Sequence, residues 1–327
     1  MDIFSILELL GGLTLFLFGM NYMGDSLKKL SGSQLESILQ RLTSNRFKGF
    51  LLGFLVTAMI QSSSATTVML VGFVNSGIMQ LGQTIAVIMG ANIGTTVTAW
   101  LLSASGISGE LIWLKLLKPE YFSPILAIVG ILFSTISKQE KHKNIGSILL
   151  GFVVLMFGMK AMSDAMSGLK DNEAFGRILV MFENPFLGIL CGTILTAVIQ
   201  SSSASVGVLQ AFSLTGAIPM STALPVILGQ NIGTTITPVL SSLNGNRASK
   251  RVALACVYVK IIGVLVISVV FYSLHSYFDF PFLHAQATVF SIAMVHTLFN
   301  VFSTIILLPL CNLIEKLTIL TIPRERG

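Results

Sequence analysis

The chain has 327 residues, of which 53% are hydrophobic and only 10% are charged, and its formal net charge is +6. Soluble domains carry about 25% charged residues, so this composition excludes an ordinary soluble protein and indicates an integral membrane protein. The basic excess does not indicate nucleic acid, because Lys and Arg at the ends of membrane spans set their topology. We therefore expect a lipid bilayer, and no nucleic acid, as a partner.

Apolar segments follow one another along the chain, and the longest can cross about 30 Å of hydrocarbon, which takes about 20 residues. The first half is predicted to hold, in order, a spanning helix at 3–23, an amphipathic stretch at 25–46, short apolar pieces at 47–60 and 65–79, and a helix at 84–102. The second half repeats this plan with a spanning helix at 145–162, an amphipathic stretch at 164–181, short pieces at 186–199 and 204–218, and a helix at 223–240. A loop through Pro119 and Pro124 is predicted after Trp100 in the first half, and spanning helices are predicted at 252–274 and 285–310 in the second.

A stretch of 46 residues occurs twice, at a constant offset of 139 and without a gap, over 53–98 and 192–237. Of the aligned positions, 21 are identical. The best-matched residues are polar, namely Gln-Ser-Ser-Ser-Ala at 61–65 and 200–204, and Asn-Ile-Gly-Thr-Thr at 92–96 and 231–235. Paired polar breaks at matching places in a duplicated membrane protein indicate a transport site near the midplane of the bilayer.

The short apolar pieces on either side of each Gln-Ser-Ser-Ser sequence hold 14 or 15 residues, which is short for a full span. They fit a re-entrant hairpin, which enters the membrane and leaves it on the same side. Gly94 and Gly233 are expected to let the next helix unwind within Asn-Ile-Gly-Thr-Thr. The predicted fold is an all-α polytopic membrane protein of two inverted repeats, each with a re-entrant helical hairpin and a broken helix.

The placement of Lys and Arg predicts how these elements cross the membrane. If the Gln-Ser-Ser-Ser pieces are hairpins, most basic residues fall on one side, which should be cytoplasmic. The count then gives seven crossings, with the N-terminus outside and the C-terminus inside. The first hairpin opens from inside and the second from outside. We therefore expect residues 1–139 and 140–327 to be inverted repeats of one membrane domain, in the plasma (inner) membrane.

Neutral polar clusters of this kind suit an anion that is bound together with sodium. A break between two half-helices exposes backbone N–H groups at a helix N-terminus, which favours a phosphate-like anion, and Ser hydroxyls and Gln amides add donors. Freed carbonyls and Ser, Thr or Asn oxygens can ligate a hard cation such as sodium. The candidate phosphate and sodium ligands are Gln61, Ser62, Ser63, Ser64, Thr66, Asn92, Thr95, Thr96, Gln200, Ser201, Ser202, Ser203, Asn231, Thr234 and Thr235.

The paired Gln-Ser-Ser-Ser motifs, each followed by Gly-x-Asn-Ile-Gly-Thr-Thr, resemble the type II sodium–phosphate cotransporter family over nearly the whole chain. The resemblance implies that residues 61–64 and 200–203 form a sodium and phosphate site, with sodium as the coupling ion and no other cofactor. His296-Thr297-Leu298-Phe299-Asn300 also resembles a His-x-x-Phe-Asn element of that family, which is missing from the first half. Many bacterial relatives carry a PhoU-like domain after the last span. Since the sequence ends at Gly327, we expect the form without it, and we leave a separate PhoU-like regulator and a homodimer open as partners.

Lys260, His296 and Asn300 are candidate accessory residues, since an ionisable group inside a membrane is a functional candidate by default. The alternative for Lys260 is a structural ion pair or a side chain that snorkels to the interface, and the alternative for His296 is a packing role. The leading function is sodium-dependent import of inorganic phosphate by alternating access, and the chain is not expected to be an enzyme. Transport of another oxyanion, coupling to protons and a non-transporting phosphate sensor remain alternatives. An intramembrane serine hydrolase using His296 is a further one, which the lack of a Gly-x-Ser-x-Gly elbow disfavours.

Overall fold

A computed structural model describes residues 3–31, 45–107, 118–169 and 172–323. Within these ranges the regular structure is helical, and the only β pairing is an isolated bridge between Pro219 and Gln286. The α-helices, numbered here in chain order, are α1 Ile3–Ser31, α2 Arg46–Ile60, α3 Ser63–Asn75, α4 Leu81–Gly94, α5 Thr96–Leu102, α6 Pro119–Ile136, α7 Glu140–Met166, α8 Glu173–Met181, α9 Pro185–Ile199, α10 Ser202–Ser213, α11 Met220–Gly233, α12 Ile236–Ser242, α13 Arg247–Phe278, α14 Val289–Leu307 and α15 Cys311–Thr321.

Six helical stretches in the described residues are long and apolar enough to cross a membrane, which confirms an all-α polytopic membrane protein. They are Ile3–Ser31, Leu81–Gly106, Glu140–Met166, Met220–Ser242, Arg247–Phe278 and Val289–Leu307. The count of seven crossings stays a prediction: α6 has 18 residues, about 27 Å at 1.5 Å per residue, and its stretch Tyr121–Ile136 is a shorter apolar helix than the six spans. The pair α8 and α9 is bent by 102°, as a surface helix that leads into a re-entrant hairpin would be.

Each predicted hairpin consists of two short helices that precede a spanning helix. In the first half, a Cβ on Gly49 would lie 3.8 Å from the Gln83 carbonyl oxygen, and a Cβ on Gly94 would lie 2.8 Å from Thr57 Cβ. These contacts at the two ends show that α2 and α4 run parallel, so α3 must return between them. The second half repeats the arrangement in α9 and α11, with Gly188 against Pro225 and Gly233 against Thr196. Both helix pairs therefore have the course expected of a hairpin that enters and leaves on one side.

The Asn-Ile-Gly-Thr-Thr sequences interrupt their helices without unwinding them. Thr95 (φ −61°, ψ −29°) and Thr234 (φ −59°, ψ −23°) keep right-handed helical angles, so the expected unwinding at Gly94 and Gly233 is wrong. The two glycines instead allow close packing. A Cβ at Gly94 would lie 2.6 Å from the carbonyl oxygen of Phe54, and a Cβ at Gly233 would meet α9 in the same way.

Two further boundaries differ from the sequence-based expectation. The stretch through Pro119 and Pro124, predicted as a loop, is helical from Pro119 to Ile136. Proline is tolerated at the first helical position, where the missing N–H would have no intrahelical acceptor. The first span continues to Ser31, so the start of the amphipathic stretch 25–46 belongs to α1, and residues 32–44 lie outside the described ranges.

Helices α1 and α7 cross through reciprocal glycine contacts. A Cβ on Gly12 would lie 3.0 Å from the carbonyl oxygen of Gly158, and a Cβ on Gly19 would lie 2.6 Å from that of Gly151. The helices are therefore antiparallel. At the offset of 139, Gly12 corresponds to Gly151 and Gly19 to Gly158. A two-fold axis produces this exchange of equivalent residues across a contact. The inverted repeats at 1–139 and 140–327 stay a prediction, and these contacts support it.

We expect Gly19→Ala to destabilise the folded protein by about 1–3 kcal/mol, the usual cost of forcing an extra carbon into a packed interior. The added methyl would lie 2.4 Å from the Leu155 amide nitrogen, so α1 and α7 must separate. Recovery of monodisperse protein in detergent after heating measures the change. Gly11→Ala is the matched control, because its Cβ would meet no atom within 4 Å. Equal thermal stability of the two variants would contradict a tight crossing.

Candidate functional site

The two Gln-Ser-Ser-Ser sequences form the tips of the two hairpins, and their backbones adopt the same conformation. Gln61 and Gln200 end α2 and α9 in the left-handed region, with φ of 57° and 60°. Ser62 and Ser201 follow in extended conformation and cap α3 and α10. The Oγ of each serine accepts a hydrogen bond from the backbone N–H three residues later, at 3.1 and 3.2 Å. The duplicated sequence thus produces a duplicated turn.

Side-chain chemistry explains why these residues form a tip. A non-glycine residue with positive φ is uncommon, so such a conformation needs support. Gln61 has it, because its Nε2 donates to the carbonyl oxygen of Ala58 and its Oε1 accepts a 2.7 Å hydrogen bond from Thr98 Oγ1. Serine is among the strongest N-cap residues. A left-handed residue followed directly by an N-cap ends one helix and begins the next.

The N-termini of α3 and α10 present unpaired backbone donors at the tips. The first N–H groups of a helix have no intrahelical acceptor. In the described residues, no acceptor is found for the N–H groups of Ser63, Ser64, Ser202 and Ser203. Each N-terminus also carries about half a positive charge from the helix dipole. The tips therefore offer N–H and hydroxyl donors to an anion without any fixed charge.

Both tips line one cavity of about 190 Å³. Ser64 Oγ donates to the carbonyl oxygen of Gln200 at 3.4 Å, which joins the first tip to the second. The predicted site residues in the cavity wall are Gln61, Ser62, Ser64, Gln200 and Ser201. The remaining serines of the two motifs, Ser63, Ser202 and Ser203, are buried beside it.

The other wall of this cavity comes from the second half of α1, which the sequence did not identify as part of the site. Asn21, Asp25 and Lys28 line the cavity there. Lys28 Nζ lies 3.0 Å from Asp25 Oδ1, and both side chains are exposed, so this ion pair contributes little stability and leaves the wall without net charge. One sequence signal could have indicated this wall, namely that Asp25 is matched by Asp164 at the offset of 139.

Thr98 also contacts the tips, although the sequence analysis did not name it as a candidate ligand. Its Oγ1 donates to Gln61 Oε1 at 2.7 Å and accepts from Ser203 Oγ at 3.3 Å, so it connects the two hairpins through α5. Its counterpart Thr237 donates to the carbonyl oxygen of Gln200 at 3.3 Å. The identity of Thr98 and Thr237 at the end of the duplicated stretch could have revealed this role.

A second pair of hydroxyls ties the two helices of each hairpin together behind the tip. Thr57 and Thr66 lie 2.9 Å apart through their Oγ1 atoms. At the equivalent positions, Thr196 Oγ1 donates to Ser205 Oγ at 2.8 Å. Thr66, a predicted site residue, therefore holds the hairpin closed in this structure and is fully buried.

The threonines of the Asn-Ile-Gly-Thr-Thr sequences do not line the cavity. Their hydroxyls all donate to carbonyl oxygens of their own helices, at 2.7 to 3.1 Å, in the cases of Thr95, Thr96, Thr234 and Thr235. Asn92 is also buried, and its side chain makes no hydrogen bond within the described part of the chain. The motif lies next to the hairpin, since Gly94 packs on Thr57 and Gly233 packs on Thr196.

The three accessory candidates form a separate buried group around α13 and α14. Lys260 Nζ donates to Asn231 Oδ1 at 3.0 Å. His296 is close enough to Lys260 for their charges to interact, and its Nδ1 has no hydrogen-bond partner among the described residues. Asn300 Nδ2 donates to the carbonyl oxygen of His296 at 2.8 Å. The structure thus brings Lys260 into contact with Asn231, a predicted site residue. In the described residues, the side chain of His296 forms no hydrogen bond with the serines of the two motifs.

Sequence comparisons show which known proteins share these features. A profile of the family described as Na+/Pi-cotransporter matches twice, over residues 15–164 and 154–297. The chain belongs to this family. The resemblance predicted from the paired motifs is confirmed, and the two matches overlap only over residues 154–164.

Relatives of the chain include bacterial and animal members. It is 32% identical to "Uncharacterized protein YqeW" of Bacillus subtilis (strain 168) over 321 residues, which is 95% of this chain and 96% of that protein. It is 24% identical to "Putative inorganic phosphate export protein YjbB" of Escherichia coli (strain K12) over 93% of this chain, but it spans only 53% of that protein. "Sodium-dependent phosphate transport protein 2A" of Rattus norvegicus is 36% identical over 92 residues, 28% of this chain and 14% of that protein. No solved structure matches the chain significantly.

Proposed function

We propose that the protein is a symporter that moves inorganic phosphate together with sodium across the plasma membrane by alternating access. The observation that carries this proposal is the convergence of both Gln-Ser-Ser-Ser tips, with their unpaired N–H donors, on one cavity. Membership of the Na+/Pi-cotransporter family supports the same substrate and the same coupling ion.

Phosphate fits the chemistry of the tips. Helix N-termini with free N–H groups are common phosphate sites in proteins. The hydroxyls of Ser62 and Ser201 add donors in the cavity wall. None of the five tip residues in the wall is charged, so the anion is held without a fixed cation at the tips and can be released again.

Sodium supplies the charge that the tips lack. Moving a doubly charged phosphate into a cell against about 100 mV costs roughly 4.6 kcal/mol, at about 2.3 kcal/mol per charge. Two sodium ions cancel that charge. Carbonyl, hydroxyl and amide oxygens around the tips are the ligands that hard cations prefer. Asn92, buried and without a hydrogen-bond partner in the described residues, is the first side chain that we assign to sodium.

A second cavity supports alternating access. It has a volume of about 230 Å³ and contains Lys160, Ser163 and Asp164 of α7. At the offset of 139 these residues are the counterparts of Asn21, Gly24 and Asp25, which line the cavity at the tips. Equivalent surfaces of α1 and α7 thus line two different cavities, and only the one beside α1 includes the tips. We interpret the structure as the state in which the site opens beside α1, and the cavity beside α7 as the closed counterpart.

The direction of transport follows from the coupling. A symporter is reversible, so an inward sodium gradient drives phosphate import. The relatives named putative inorganic phosphate export proteins carry the opposite direction in their names. This chain spans 55% and 53% of their lengths. We propose import, the direction that an inward sodium gradient drives.

Uptake of radiolabelled phosphate into proteoliposomes tests the proposal. We expect uptake under an inward sodium gradient and none under an equal potassium or proton gradient. Reversal of the sodium gradient should drive efflux. In detergent, sodium should raise the phosphate affinity about 5- to 150-fold, because coupling between two ligands is typically about 1–3 kcal/mol and is reciprocal.

Each alternative function gives a different result in the same assay. Uptake driven by a proton gradient alone would replace sodium by protons as the coupling ion. If unlabelled sulfate or arsenate inhibited the uptake of labelled phosphate more strongly than unlabelled phosphate does, that anion would replace phosphate as the proposed substrate. Phosphate binding without any flux would indicate a sensor. Hydrolysis of an ester substrate that is lost in Ser201→Ala would indicate an enzyme.

A further inference from the structure

The two halves treat their equivalent asparagines differently. Asn92 and Asn231 occupy the same position of the duplicated motif and are both buried. Asn231 Oδ1 accepts a hydrogen bond from the ammonium group of Lys260 at 3.0 Å, whereas the side chain of Asn92 has no partner within the described residues. The two halves therefore place equivalent amide oxygens at this position, but in the described residues only the oxygen of Asn231 is paired with a cationic side chain.

Lys260 is buried without a counter-charge. Its relative exposure is 8%, and in the described ranges no carboxylate forms an ion pair with it. The ionisable groups near it are Cys256, one turn earlier on α13, and His296 on α14. A buried charge is costly unless something compensates it. The neutral oxygen of Asn231 provides part of that compensation.

An ammonium group and a sodium ion carry the same charge and bind the same kind of neutral oxygen. Lysine has three N–H donors, and only one of them is used by Asn231 in the described structure. Lys260 comes from α13, and at the offset of 139 its counterpart in the first half is Tyr121, so the internal repeat does not supply such a group to Asn92.

We propose that the ammonium group of Lys260 takes, at Asn231, the place that a sodium ion takes at Asn92. The second half then has a built-in cation, and the first half has an exchangeable one. This rests on the proposed sodium–phosphate symport and deepens it: the two halves of the site contribute unequally to sodium coupling.

The slope of log Ka, the association constant of phosphate, against log sodium concentration tests this, since linkage makes that slope equal to the number of sodium ions taken up with phosphate. Titration calorimetry on the full chain in detergent measures it. Asn92→Ala should lower the slope by about one, while Asn231→Ala should leave it unchanged. Lys260→Gln should raise it by about one, because the oxygens freed at Asn231 become available to sodium.

Two controls keep the outcome decisive. Lys250→Gln removes a lysine from the exposed start of α13 and should change neither the slope nor the phosphate affinity. Thermal stability of each variant shows whether it has folded, and the two asparagine variants provide the test if Lys260→Gln does not fold. Equal slopes in Asn92→Ala and Asn231→Ala, or an unchanged slope in folded Lys260→Gln, would overturn the assignment of Lys260. A slope of zero in the unmodified protein would instead overturn sodium coupling itself.

Discussion

Ser62→Ala and Ser201→Ala should each reduce phosphate affinity about tenfold to a hundredfold, since a hydrogen bond to a charged group is worth about 1.5–3 kcal/mol. Each serine Oγ already accepts a backbone N–H, so its own proton is free to donate to an anion in the cavity that both residues line. Calorimetric phosphate titration at saturating sodium, together with proteoliposome uptake, measures the loss.

Loss of the helix cap must be separated from loss of the donor, because removing an N-cap hydroxyl costs about 1 kcal/mol of stability by itself. Thr288→Ala is the matched control. Thr288 caps α14 through the same type of bond, to the N–H of Ser291, and does not line the cavity. We expect Thr288→Ala to lower thermal stability while phosphate affinity stays at the level of the unmodified protein. Serine variants that bind phosphate as tightly as this control would show that the hydroxyls only cap helices.

Thr98→Val should reduce uptake at least about tenfold, because each buried group that loses its hydrogen-bond partner costs about 1–3 kcal/mol. The substitution preserves shape and removes the hydroxyl that links Gln61 Oε1 to Ser203 Oγ. Both partners are largely buried and would be left without this bond. The first tip then loses this connection to the second hairpin, while the 3.4 Å hydrogen bond from Ser64 Oγ to the Gln200 carbonyl oxygen remains. Initial rates of sodium-driven uptake in proteoliposomes, normalised to reconstituted protein, measure the effect.

Thr84→Val supplies the comparison within the same span. Thr84 is as buried as Thr98, but its hydroxyl donates only to the carbonyl oxygen of Leu81 in its own helix, at 2.7 Å. Its replacement should leave uptake within about twofold, since the carbonyl keeps its place in the helix and no other side chain loses a partner. A Thr98→Val protein that transports like Thr84→Val would show that the bridge between the tips is dispensable.

The sequence determined the membrane class and the hairpin tips because both depend on local chemistry. Long apolar segments exclude a soluble fold wherever they lie in space. A glutamine followed by three serines between two short apolar pieces ends one helix and caps the next, so residues 61–64 and 200–203 fold in the same way in both halves. The internal repeat also indicated that the two tips belong to one site, and the structure places both on one cavity.

Only the tertiary structure decided which other side chains reach that site. The sequence grouped Thr95 and Thr96 with the serines, yet their hydroxyls turn to their own helix, while Thr98, two residues further, faces the tips. Which face of a helix meets a neighbour depends on how the two helices pack. Here glycines set the packing, as Gly94 of α4 does where it lies against Phe54 and Thr57 of α2.

The contacts between distant parts of the chain were also beyond the sequence alone. Asn21 and Asp25 enter the cavity wall because α1 crosses α7 at Gly12 and Gly19, far from either tip in sequence. Lys260 meets Asn231 across 29 residues, from a helix that lies outside the 46-residue duplicated stretch. A repeat in sequence predicts equal local geometry in the two halves, but the neighbours differ wherever a helix outside that stretch packs against one half. The sequence therefore determined the duplicated tips, and the packing of α1 and α13 decided how their surroundings differ.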